Sequence, residues 1–138
     1  MSKYPDFLKE GDEVRIISPS GVIDPTLVDG AIILLASWGY KATEGMFTRN
    51  ALGRFAGNEQ ERFTDLQQAL DDPNVKAILC SRGGYGLAQI IDRIDFSRFV
   101  KHPKWVIGFS DVTILHQALL STGIISLHSA MAKQFTEL

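Results

Sequence analysis

Two kinds of hydrophobic block alternate along this chain. Short apolar runs fall at Val14-Arg15-Ile16-Ile17, Tyr40 to Thr43, Val75-Lys76-Ala77-Ile78-Leu79-Cys80, Trp105-Val106-Ile107 and Ile124 to Leu127. Their length and β-branched content predict strands. Between them, apolar residues recur at helical spacing. Leu27, Val28, Ala31, Ile32, Leu35 and Trp38 form one such stripe, with Asp24 as N-cap, Pro25 in the first helical position and Gly39 as the stop. Asn58 and Glu61 make a capping-box pattern ahead of Phe63, Leu66, Ala69 and Leu70, and Asp72-Pro73 closes that helix. A short helix from Leu87 with Ile90 and Ile91, a helical turn from Asp95 to Val100 broken at His102-Pro103, and a helix from about Val112 to Ser121 ending at Gly123 complete the pattern. Phe47 to Gly57 has no steady period and reads as loop.

Strands that alternate with helices over short connections predict an α/β fold, an open and mainly parallel sheet with helices on both faces. Ligands bind such sheets outside the C-terminal ends of the strands. Three loops at that edge carry the candidate chemistry. Ser18-Pro19-Ser20-Gly21 follows the first strand. Ser81-Arg82-Gly83-Gly84-Tyr85-Gly86 follows the third, and its glycines let successive N–H groups point into a cavity, where they stabilise an anion or a developing oxyanion. Gly108-Phe109-Ser110-Asp111 follows the strand at Trp105. A sharp strand-to-helix turn with serine at its apex exposes the hydroxyl and aims the first amides of the helix at whatever it attacks. Taken alone, the segment favours Ser110 as a helix N-cap over a nucleophile. The Gly-rich loop lacks the third glycine of a dinucleotide fingerprint, and no Gly-Lys-Ser/Thr follows it, so nucleotide binding is poorly supported.

Taken together, these loops resemble the LD-carboxypeptidase family of serine peptidases, which includes murein tetrapeptide carboxypeptidases and microcin-immunity hydrolases. The matching residues are Ile16-Ile17-Ser18-Pro19-Ser20-Gly21, Arg82-Gly83-Gly84-Tyr85-Gly86, Gly108-Phe109-Ser110-Asp111-Val112-Thr113 and, more weakly, Leu127-His128-Ser129-Ala130-Met131, where the family commonly has Gly-Pro after the histidine. The resemblance runs from about Val14 to the C-terminus. It implies Ser110 as nucleophile, with Gly83, Gly84 and the Asp111 amide as the oxyanion hole. It also implies a histidine base and an orienting glutamate from a second domain beyond Leu138, which makes residues 1–138 an N-terminal, nucleophile-bearing domain. Arg82, Tyr85 and Ser20, from the loops of the same edge, are the expected substrate-binding residues, with a structural ion pair as the alternative for Arg82. The implied fold is flavodoxin-like or class I glutamine-amidotransferase-like. The implied activity is that of a muramoyltetrapeptide carboxypeptidase, which releases a C-terminal D-amino acid from an L,D bond in peptidoglycan recycling. The alternatives are a microcin-immunity-type peptidyl-nucleotide hydrolase, a non-catalytic flavodoxin-like binding module, and an amidotransferase-like hydrolase using Cys80.

Composition narrows the partners. The 138 residues are 45% hydrophobic and 22% charged, and 14 basic against 16 acidic side chains give a formal charge of −2. Nothing in that balance recruits nucleic acid or an anionic membrane. The longest apolar run, Ala31 to Ala36, is too short to span a bilayer. Met1 to Asp6 lacks the apolar core of a secretory signal, so a cytoplasmic location is expected. The one cysteine, Cys80, reads as core. His116 lies six residues past Ser110 on the same helix, about 240° round, and should face away. His102 reads as exposed, and His128 could approach the site edge. No metal site and no cofactor are expected, because His and Cys are too scattered for a ligand set. Arg54 is the second cation of interest after Arg82. The expected partners are a murein peptide and the chain's own C-terminal domain, with a homodimer for the full-length protein. Met131, Phe135 and Leu138 are expected to lie exposed where that domain docks.

Overall fold

A computed structural model describes residues 3–137. Five strands form one parallel sheet: β1 (Glu13–Ile17), β2 (Lys41–Glu44), β3 (Val75–Cys80), β4 (Trp105–Gly108) and β5 (Leu127–His128). Their order is β2-β1-β3-β4-β5, and every strand pair is parallel. The chain therefore reverses direction of travel across the sheet between β1 and β3. The loops leaving those two strands flank the crevice that such a switch point opens.

Strand alternation sends side chains to two cores. Val14 and Ile16 of β1 and Ala77 and Leu79 of β3 pack against Val28, Ala31 and Leu35 of α1 (Pro25–Ser37). On the other face, Ile17, Ile78, Cys80 and Val106 meet Leu66, Ala69 and Leu70 of α2 (Glu59–Asp71), Phe99 of α3 (Ser97–Lys101), and Leu115 and Leu119 of α4 (Thr113–Leu120). Helix starts follow the expected chemistry. The Asp24 carboxylate accepts from Thr26 N at 2.9 Å, and the Asn58–Glu61 capping box is complete, with both reciprocal hydrogen bonds formed.

Three expectations need correction. The last strand is only Leu127–His128, because Ile124 forms an isolated bridge with Lys3 at the chain's start instead of joining the sheet. The segment from Leu87 is two 3-10 turns, Leu87–Gln89 and Ile91–Arg93, rather than one helix. The C-terminal segment forms α5 (Ala132–Phe135), which packs on α1 and leaves Phe135 half-buried against Trp38, ring centroids 5.8 Å apart, while Met131 is buried in the core of the other sheet face with Val112, Leu115 and Ile124. The apolar patch expected there is thus largely covered from within, and Leu138 lies outside the described residues. Among the described residues, no helix is long and apolar enough to cross a membrane.

Candidate active site

Ser110 sits where β4 turns into α4, and its φ of +62° is the only positive value among the described non-glycine residues. An L-residue held there is strained unless its surroundings fix it. Gly108, just before the turn, leaves no room for a side chain: a Cβ there would lie 2.9 Å from Val112 Cγ1. The Ser110 side chain is exposed. It opens into a small groove of about 140 Å3 between Arg82, Gly83 and Gly84 on one side and Met131, Lys133 and Gln134 on the other. Gly83 faces it directly, since a Cβ on Gly83 would lie 3.0 Å from Ser110 Oγ and 3.4 Å from Asp111 N. Gly84, at φ +102°, turns the loop towards solvent beside it. Two suspect loops that lie far apart in sequence are therefore in van der Waals contact.

The neighbouring residues hold this arrangement from below. The Asp111 carboxylate accepts from Ser20 Oγ at 2.6 Å and from Leu87 N at 3.2 Å, which binds the turn to the loops after β1 and β3. Ser20 is fully buried, so it lies under the groove rather than in it. Gly21 N donates to the Gly83 carbonyl at 2.9 Å, and a side chain on Gly21 would strike that oxygen. Arg82 Nη1 donates to the Val22 carbonyl at 3.0 Å and forms no ion pair among the described residues. Tyr85 is exposed on the same loop, and the Arg54 guanidinium stacks over Tyr85 and Phe55 at 5.1 and 5.3 Å.

Arg62, which sequence reasoning missed, lies outside the groove but ties together the loops that form it. It is almost wholly buried, yet meets no carboxylate directly among the described residues. Its guanidinium donates to the carbonyls of Gly57 (3.3 Å), Pro19 (3.4 Å) and Gly86 (2.9 Å) and to Gln89 Oε1, with Phe55 under it at 4.9 Å. Burial pushes its pKa below the ordinary value. The signal was available: Arg62 stands four residues before Leu66, on the apolar stripe of α2. Asp65 shares that stripe and is also buried. Its Oδ2 accepts from Phe47 N at 2.8 Å, which fixes the start of the loop carrying Arg54, and desolvation raises its pKa.

The remaining candidates separate clearly. Cys80 is fully buried beneath the Gly-rich loop, and desolvation pushes its thiol up to about 12, which removes the thiolate that a nucleophile needs. His102 is exposed. His116 points away from Ser110: its Nε2 lies 2.8 Å from the Gly108 carbonyl and its Nδ1 2.6 Å from Ser126 Oγ. His128 is exposed, with its ring 6.1 Å from that of Phe109 and 6.0 Å from that of His116. None of the three hydrogen-bonds Ser110 among the described residues. No cluster of three or more metal-ligating side chains occurs among them either.

Residues 14–129 match the family model described as the LD-carboxypeptidase N-terminal domain. The chain belongs to the LD-carboxypeptidase family. It is 40% identical over 128 residues to a Bacillus subtilis (strain 168) protein named probable murein peptide carboxypeptidase, a match covering 92% of this chain and 40% of that protein. Among solved structures it is similar to an MccF-like protein from Bacillus anthracis strain Ames (29% identity, TM-score 0.88, 97% of this chain and 42% of that one). It is also similar to the muramoyltetrapeptide carboxypeptidase from Oxalobacter formigenes (32% identity, TM-score 0.78, 88% and 40%). The chain thus spans about 40% of the length of these LD-carboxypeptidase relatives. Ser110 and the three loops around it fall within residues 14–129, whereas Met131, Lys133 and Gln134 on the far side of the groove lie just beyond them.

Proposed function

We propose that the protein containing this chain is a serine-type LD-carboxypeptidase that hydrolyses an L,D peptide bond in a murein tetrapeptide, releasing the C-terminal D-amino acid in cytoplasmic peptidoglycan recycling. The observation that carries the reading is the apposition of Ser110, at φ +62° on a strand-to-helix turn, with Gly83 of the Gly-rich loop. In this reading Ser110 Oγ attacks the scissile carbonyl and forms an ester, and the amides around Gly83, Gly84 and Asp111 stabilise the oxyanion. The carbon–nitrogen bond breaks, the departing amine takes a proton, and water then cleaves the ester. Arg82 lines the groove and, with the exposed Tyr85 on the same loop, serves the substrate, whereas Ser20 acts through the Asp111 carboxylate it donates to.

Serine is a weak nucleophile until a base takes its proton, and none of the described histidines hydrogen-bonds it. The base and its orienting acid therefore come from the remainder of the protein, in a C-terminal domain docked over the groove. Residues 1–138 alone should turn over nothing. The test is D-alanine release from an L,D-tetrapeptide by the full-length protein, with S110A abolishing it and residues 1–138 giving background. Turnover by residues 1–138 that is lost on replacing His128 would place the base inside this chain. The relative named as an MccF-like protein keeps a peptidyl-nucleotide hydrolase as the second reading, which parallel assay of such a conjugate separates.

A further inference from the structure

We propose that His116 is a positioning residue, which holds the strained Ser110 turn in its reactive conformation through the Gly108 carbonyl; this rests on the serine-peptidase reading above. A residue at φ +62° stays there only if the surrounding structure leaves it no alternative. On the groove side, Gly83 packs against the Ser110 side chain, and Asp111 is tied to Ser20 and Leu87. Those contacts fix the chain after the serine. The chain before it is the peptide between Gly108 and Phe109, and its carbonyl is the Gly108 oxygen. That oxygen accepts from His116 Nε2 at 2.8 Å and, more distantly, from Ser129 N at 3.3 Å.

The partners define the hydrogen on the ring. A carbonyl only accepts, so Nε2 carries a hydrogen, and the ring's other nitrogen is engaged by the Ser126 hydroxyl at 2.6 Å. Ser126 directly precedes β5, so His116 spans from α4 to the ends of two adjacent strands. The helix that begins at the serine turn thereby reaches back to lock the strand that enters it. This closes a ring through Gly108, Phe109, Ser110 and α4. The His116 side chain is half-buried, six residues from the serine, and touches no reacting atom; it acts through the Gly108 carbonyl.

The experiment uses the full-length protein with H116M and H116Q. Both side chains have similar length, but only glutamine carries an N–H to offer Gly108. Expected for H116M are a kcat lower by about tenfold to a hundredfold, the scale of a small misplacement of a reacting group, a KM within about twofold of wild type, and slower Ser110 labelling by a fluorophosphonate by the same factor. H116Q should recover most of both rates. Should H116M fail to fold, H116N, polar but too short to reach the carbonyl, takes its place with the same expectation. Wild-type kcat and labelling in H116M, or H116Q no better than H116M, would overturn the inference alone. A wild-type protein that neither releases D-alanine nor takes the label at Ser110 would overturn the underlying reading as well.

Discussion

Two buried cations, at opposite edges of the sheet, solve the same physical problem to different ends. Arg62 lies under the C-terminal edge and Lys104, just before β4, at the N-terminal edge. Each is nearly inaccessible, and neither forms an ion pair among the described residues. Both are satisfied mainly by backbone carbonyls, which keeps a buried charge tolerable. Lys104 Nζ donates to Ala69 O at 2.9 Å and to Asp72 O, oxygens at the C-terminal end of α2 that the helix itself cannot satisfy. Arg62 donates to carbonyls of three separate loops, at Pro19, Gly57 and Gly86. A compact ammonium suffices to finish a helix, whereas a planar fork is needed to hold loops in register. One edge is therefore built for stability and the other for the shape of the groove.

The largest effect expected at the site edge is that of G83A in the full-length protein. The added methyl would press on Ser110 Cβ and Oγ, each 3.0 Å away, so activity should fall by about tenfold to a hundredfold while thermal stability changes little. Steady-state kinetics with a thermal melt check both halves. R62K comes next. It retains the charge but loses the fork, leaves carbonyls of the site loops unpaired, and should lower kcat about tenfold and stability by about 1–3 kcal/mol. R62K with unaltered kcat would erase the contrast between the edges.

K104M at the opposite edge should leave kcat within about twofold. Its signature is in pH. Burial lowers the Lys104 pKa from 10.5 to about 8. Between those values the unfolded chain binds more protons than the folded one, so the Lys104 contribution to stability increases as pH rises across that window. Below pH 8 the cost of burying the ammonium is carried in full. Denaturant melts of wild type against K104M should diverge upward in favour of wild type from about pH 8 towards 10.5; parallel curves would contradict the assignment. The smallest effect concerns Cys80. With its thiol buried and pushed up to about 12, it should resist iodoacetamide in native protein at pH 8 and react once the chain is unfolded.

Most of the C-terminal edge was legible in the sequence because its devices are local. Gly83-Gly84, the turn at Ser110 and the Asn58–Glu61 box each occupy a few consecutive positions, with steric or hydrogen-bonding requirements that residue type reveals. Arg62 and Asp65 were not, because a charged residue on a helix ordinarily faces water, and only its place on the Leu66–Ala69–Leu70 stripe marks it as buried. Lys104 was hidden for a similar reason: the carbonyls that receive it come from α2, more than thirty residues earlier. Ile124 has every property of a strand residue, yet pairs with Lys3 because the chain's start takes that place. Met131 is buried in the core it shares with Val112, Leu115 and Ile124, and Phe135 is half-buried by α5 docking against α1, tertiary placements with no local signature.

The central claim is that the groove between Gly83 and Ser110 is a serine peptidase site completed by the rest of the protein. Its most direct test is D-alanine release from an L,D-tetrapeptide by the full-length protein and its S110A variant, with mass spectrometry of the fluorophosphonate adduct. Label on Ser110 alone is expected, with a loss of turnover in S110A of several orders of magnitude, about a million-fold where a nucleophile works within a triad. Undiminished turnover in S110A, or an adduct on another residue, would contradict it.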